Sequence, residues 1–152
     1  MINPSASRWP LLYRLGVYLL AVLTAYVLAS ITATQSVVSS LSSMGVDVDL
    51  ATRISMTARD LLGMAGSFLP MIAAGYLAAF LVVGILLHWW PHWRTPLYLM
   101  AGGAALIAIH LTMQLAFSIT PVAIGRTVGG LLVQGVAGAV GGYVFSRLMQ
   151  RA

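Results

Sequence analysis

Few side chains in this sequence could do chemistry, and the informative ones sit in apolar surroundings. The chain has three histidines, three aspartates (Asp47, Asp49 and Asp60), eight arginines, no lysine, no glutamate and no cysteine. His110 lies seven residues before Phe117, at the end of one apolar stretch, and Gln134 lies seven after Thr127, at the start of another. The same count inward from Ala33 and Leu69 reaches Tyr26 and Tyr76. At about 1.5 Å per helical residue all four fall about 10 Å below one surface. Gln114 lies one turn nearer that surface, on the His110 face. Each of these groups is costly in hydrocarbon unless it is paired. Tyr26, Tyr76, His110, Gln114 and Gln134 are therefore expected to form a polar layer inside a bundle.

Two readings of that layer stand side by side. Ser, Gln, His and Tyr often bond one helix to the next with no further role. Alternatively the layer lines a ligand or ion path, with His110 the group that titrates near neutral pH. Catalysis has little to work with. The absence of cysteine excludes disulfides, thiolate metal sites and thiol nucleophiles. No carboxylate lies within an apolar stretch, and no Ser-His-Asp or paired-acid spacing occurs. Asp60 and Arg59 could face His110 only if the segment carrying them dips inward. His88 and His92 are four apart, but Pro91 breaks the turn between them and no third ligand is near, so they read as interfacial groups rather than a metal site. His110 lies near the opposite surface from that pair, which disfavours a haem held by two histidines. No catalytic residue, metal or cofactor is assigned.

The elements that must position these residues follow from composition. Of 152 residues, 60% are hydrophobic and only 7% charged. An ordinary soluble domain carries about 25% charge, and a chain this small cannot hide so much apolar surface from water. All eleven charges fall outside four uncharged stretches, 15–33, 69–87, 97–117 and 127–146. Each is about 20 residues, the length that crosses a hydrocarbon core of about 30 Å as a helix. Spans are expected at about 11–34, 68–90, 97–117 and 127–147. Arg8 and Arg14 before the first, and small residues (Ala29, Ser30, Ala33) at its end, resemble a signal peptide, but its length favours a retained anchor. The fold class is an all-α integral membrane protein, residues 1–152 forming one membrane domain. Its four transmembrane helices form a bundle, with an amphipathic helix between spans one and two.

That amphipathic connector is expected at about 49–66, lying on the outer membrane surface. Asp47 or Asp49 caps it, Leu50, Ile54, Leu61, Leu62 and Met64 follow at helical spacing, and a bend near Gly66 and Pro70 leads into span two. The Ser-rich run before Gly45 extends span one by a turn or two. Arg8, Arg14, Arg94, Arg147 and Arg151 share one side, against Arg53, Arg59 and Arg126 with the aspartates on the other. Five against three places both termini in the cytoplasm of an inner membrane. Trp9, Trp89, Trp90, Trp93, Tyr13 and Tyr98 fall on the same side as headgroup-level anchors. Scattered between spans, the arginines form no basic stripe for nucleic acid.

Span four is glycine-rich. Gly130, Gln134, Gly138 and Gly142 recur every four residues, with Gly129, Gly135 and Ala139 beside them, and Gly102 and Gly103 offer a matching face on span three. Such stripes permit close approach of helix backbones in lipid, inside a bundle or between subunits. The leading functional expectation is an accessory or self-associating membrane subunit that contacts itself or a larger partner through span four. The alternatives are an oligomeric transporter or channel-like protein using the layer around His110, and a lipid- or quinone-interacting enzyme.

Overall fold

The computed structural model describes residues 8–117 and 128–150. Arg126, Thr127 and Arg151, which entered the charge and span counts, lie outside them. Every regular element among the described residues is helical: α1 (Arg8–Ser43), α2 (Leu50–Ala65), α3 (Phe68–Leu86), α4 (Arg94–Phe117) and α5 (Val128–Met149), with a 3-10 turn at Pro91–Trp93. Four of these, all but α2, are long and apolar enough to span a membrane. The protein is an all-α membrane bundle with one short extra helix.

Helix α1 continues past the apolar span through the Ser-rich run, as expected, and ends at Ser43. Its Ser/Thr segment stays helical because hydroxyls bond back into their own turns, Thr32 to the Leu28 carbonyl at 2.8 Å and Ser40 to the Ser36 carbonyl at 3.0 Å. The helix stops at Gly45, whose φ of 81° suits glycine, with Gly45 N–H donating to Ser42 O and Val46 N–H to Leu41 O. The connector thus begins about three turns beyond the bundle and has to return. Asp49 caps α2, its side chain accepting from Thr52 N at 3.2 Å. The helix comes back along α1: Gln35 faces Thr57, and Thr34 faces Asp60. So α2 is docked on α1, although Leu50, Ile54 and Leu62 stay exposed along it. At the other end α3 stops at Leu86, short of the expected 90, while α4 starts at Arg94, before the expected 97. Pro96 in its first turn costs no helical bond.

The core is organised by glycine. A Cβ on Gly102 would collide with the Gly138 carbonyl, and one on Gly138 with the Gly102 carbonyl; Gly103 stands against Gly135, and Gly142 against the Tyr98 carbonyl. On another side of α5, Gly141 lies against Ala21 and Ala25 of α1. Gly130, Gly135, Gly138 and Gly142 are all buried, so the span-four stripe is spent inside its own chain. Beneath it, Phe80, Tyr98 and Phe145 cluster, with Phe80–Phe145 centroids 4.6 Å apart and Phe80–Tyr98 5.2 Å. Tyr98 is therefore a buried core ring, not an interfacial anchor, because its face of α4 turns toward α5; Trp89, Trp90 and Trp93 are exposed.

Gly138→Leu or Gly102→Ala should destabilise the bundle by about 1–3 kcal/mol or more, the usual cost of overpacking, whereas Gly129→Ala, whose Cβ meets open space, should be neutral. Reversible unfolding in mixed micelles measures both. Hydrogen bonds from Thr52 hold the Asp49 carboxyl below its ordinary value. The cap therefore contributes above the ordinary carboxylate range and is lost as pH falls through the depressed folded-state value. Amide protection at Thr52 should drop in acid, and Asp49→Ala should produce the same loss at neutral pH.

Candidate functional site

At the end of the bundle that carries α2, four helices contribute polar groups to a common interior and α3 adds an aromatic ring. Helix α1 presents Tyr26, Ser30 and Thr34 on one face, because they are spaced by four. All three are buried, as are His110 on α4 and Gln134 on α5. Gln134 fastens α5 to α1, its Nε2 donating to the Ala29 carbonyl at 3.0 Å and to Thr32 Oγ1 at 3.2 Å. Tyr26 donates to the Leu61 carbonyl and so holds α2 to the bundle. Thr34 donates to Asp60 Oδ2 at 2.8 Å, which brings a carboxylate to the rim of the cluster. Phe68, at the start of α3, packs edge-on against His110 with centroids 5.7 Å apart and also meets Tyr26 at 6.4 Å.

The histidine is tied to its own helix. Its Nδ1 lies 2.9 Å from the Leu106 carbonyl. A carbonyl can only accept, so in the neutral ring Nδ1 carries the proton and Nε2 holds a lone pair. Three buried polar atoms of the cluster, Ser30 Oγ, His110 Nε2 and Gln134 Oε1, have no hydrogen-bond partner. Buried polar groups are nearly always satisfied, so these three are the open hydrogen-bonding positions of the cluster.

The expected layer is divided by depth. Tyr76 is buried, but its hydroxyl reaches the Gly138 carbonyl at 2.5 Å, one turn of α5 away from Gln134 and toward the opposite end. Its ring stacks on Phe80 at 4.8 Å. Counting residues places the Cα, whereas a tyrosine acts at the tip of a long side chain. Tyr76 thus belongs to the aromatic floor, and Tyr26, His110 and Gln134 belong to the polar cluster above it. Gln114 is half-buried one turn further out on α4. Sequence reasoning missed Ser30 and Thr34, whose spacing from Tyr26 was the available signal. It reached Asp60 only on the condition that the connector dips inward, which the return of α2 along α1 supplies.

Other polar contacts join helices without forming a site. Tyr18 donates to the Ala73 carbonyl, and Ser146 Oγ to Thr95 at 3.1 Å. His88 and His92 are exposed at the opposite end. No group of three His, Cys, Asp or Glu that could hold a metal occurs among the described residues.

The two tyrosine bonds should separate experimentally. Tyr76→Phe should lower the stability of the whole bundle by about 0.6–2 kcal/mol, the range for interhelical bonds in lipid. Tyr26→Phe should instead release α2, seen as faster proteolysis between residues 50 and 65 with little change in global unfolding. Comparison of this chain with known protein families, characterised proteins and solved structures yields no match.

Proposed function

We propose that this chain is a small, non-catalytic and non-conducting subunit of the cytoplasmic (inner) membrane that self-associates through α5. The observation that carries this reading is the fit between two of its lipid-facing surfaces. Val128, Leu132, Val136 and Val140 are exposed at four-residue intervals along α5, a ridge opposite the buried glycines. Between α3 and α4 runs an open apolar groove of about 850 Å³, walled by small residues that include Ala74 and Ala78 on one side and Ala104 and Ala108 on the other. Ridges at four-residue spacing seat in grooves of matching spacing, and small residues let a helix approach closely in lipid. Ridge and groove lie on different helices, so the contact between copies is heterologous and closes into a ring when the rotation allows.

Conduction is disfavoured by the floor of the bundle. Tyr76, Phe80, Tyr98 and Phe145 pack ring against ring below the polar cluster and fill the interior of the single bundle there. The end holding Arg14, Arg94, Arg147 and the exposed tryptophans is assigned to the cytoplasm by its arginine excess.

Because the sequence has no cysteine, paired single-cysteine chains give a clean test. Mixing Val136→Cys and Ala104→Cys copies in bilayers should yield cross-linked dimers, and Ala104→Phe, which fills the groove, should convert a closed oligomer to monomer by native mass spectrometry. A monomer at every protein-to-detergent ratio, or cross-linking confined to Val136→Cys pairs, would overturn the reading.

A further inference from the structure

The polar cluster goes beyond a role in self-association. Its three unpartnered atoms belong to residues that are 0–1% exposed, Ser30 on α1, His110 on α4 and Gln134 on α5. Helix register sets them at one level. Gln134 is clasped to Ala29, the residue before Ser30. On α4 Leu106 meets the Gly138 position, and one turn further along each helix come His110 and Gln134. Phe68 bridges His110 and Tyr26, the latter one turn from Ser30 on the same α1 face.

Two of the three are pure acceptors. Both hydrogens of the Gln134 amide are used on Ala29 O and Thr32 Oγ1, so Oε1 is left as a pure acceptor. A flipped amide would set Oε1 against the Ala29 carbonyl, which fixes the assignment. His110 Nε2 is likewise an acceptor, since Nδ1 spends its hydrogen on Leu106 O. The Ser30 hydroxyl adds two lone pairs and can turn its single hydrogen away from a donor-bearing guest. Just beyond, Asp60 accepts from Thr34, whose hydroxyl also points to the Ser30 carbonyl. Among the described residues no arginine forms an ion pair with Asp60. Lone pairs from three helices, with an unneutralised carboxylate at their rim, favour a guest that brings hydrogen-bond donors and positive charge.

We propose that Ser30, His110 and Gln134 form a binding site for a small donor-bearing cation of ammonium size, entered from the α2 end beside Asp60. The aromatic floor beneath closes the other way out, so the guest binds and leaves by the same door. That geometry suits sensing or capture rather than passage.

The test uses the full chain in nanodiscs, with 15N-labelled histidine and the exposed pair changed as His88→Asn and His92→Asn so that His110 alone is read. Ammonium chloride should shift the His110 Nε2 resonance saturably, and tetramethylammonium, equal in charge but without donors, should not. Ser30→Ala should weaken the ammonium response about tenfold, as should Gln134→Met, while Tyr18→Phe should leave it unchanged. Ser30 Oγ makes no bond within the fold, so Ser30→Ala tests the site without loosening it. No ammonium response in the unaltered site, an equal response to tetramethylammonium, or full response in Ser30→Ala would each overturn the proposal.

Discussion

Hydrocarbon offers no hydrogen bonds, and most of this architecture follows from that. Inside a bilayer each polar group has to be satisfied by the protein itself. Tyr18, Tyr26, Tyr76 and Gln134 each spend a hydrogen on a backbone carbonyl of another helix. Carbonyls within a helix already accept one bond but keep a second lone pair. The polar side chains use this spare capacity, so helices are joined without carboxylates or ion pairs in the spans. The same constraint keeps Thr32 and Ser40 compatible with a long helix, because each hydroxyl turns back onto its own backbone.

Glycine makes those reaches short enough. Contacts between α4 and α5 at Gly102–Gly138 and Gly103–Gly135 bring backbone against backbone, and Gly141 opens α5 toward α1. Tyr76 then reaches Gly138, and Gln134 reaches Ala29, across gaps that larger residues would have widened. Close packing and polar satisfaction are thus one arrangement. It also leaves α5 with two different faces, glycine inward and valine outward, of which only the second is free to meet another copy.

The spans were legible because hydrocarbon thickness writes itself into the length of an apolar run. The glycine stripe was legible as a packing face, though not whether its partner lay within the chain. Helix ends were legible where a cap marks them, as at Asp49 and before Gly45, but not from hydropathy, which stops at Ala33 while α1 ends only where Gly45 can adopt positive φ and let two backbone N–H groups cap it. The site was half legible. His110 and Gln134 stood out as polar residues in long apolar runs. Tyr76 fell to another level because its hydroxyl works far from its Cα. Ser30 and Thr34 passed as ordinary small residues near a helix end, and their relevance depends on where α2 returns. Asp60 depends on that return even more, since a connector lying apart from the bundle would have left it in solvent.

The two ends of the bundle consequently do different things with their few polar residues. At the α2 end, buried side chains with spare lone pairs sit on three separate helices, and the protein's only aspartates lie on that side. At the opposite end, rings fill the interior, and the charge present is arginine, with Arg94 reaching the Met149 carbonyl at 3.5 Å. A conducting protein needs polar groups to continue from one such region to the other, because each uncompensated step through hydrocarbon-like packing is a barrier. Here the polar contacts run from Asp60 to Thr34 on α1, and Gln134 bonds to the same helix at Ala29 and Thr32, while Tyr76 and Phe80 fill the next layer with rings. Tyr76 turns its hydroxyl onto Gly138 and presents only its ring to the layer below. The polarity gradient ends inside the protein, at the rings below the cluster.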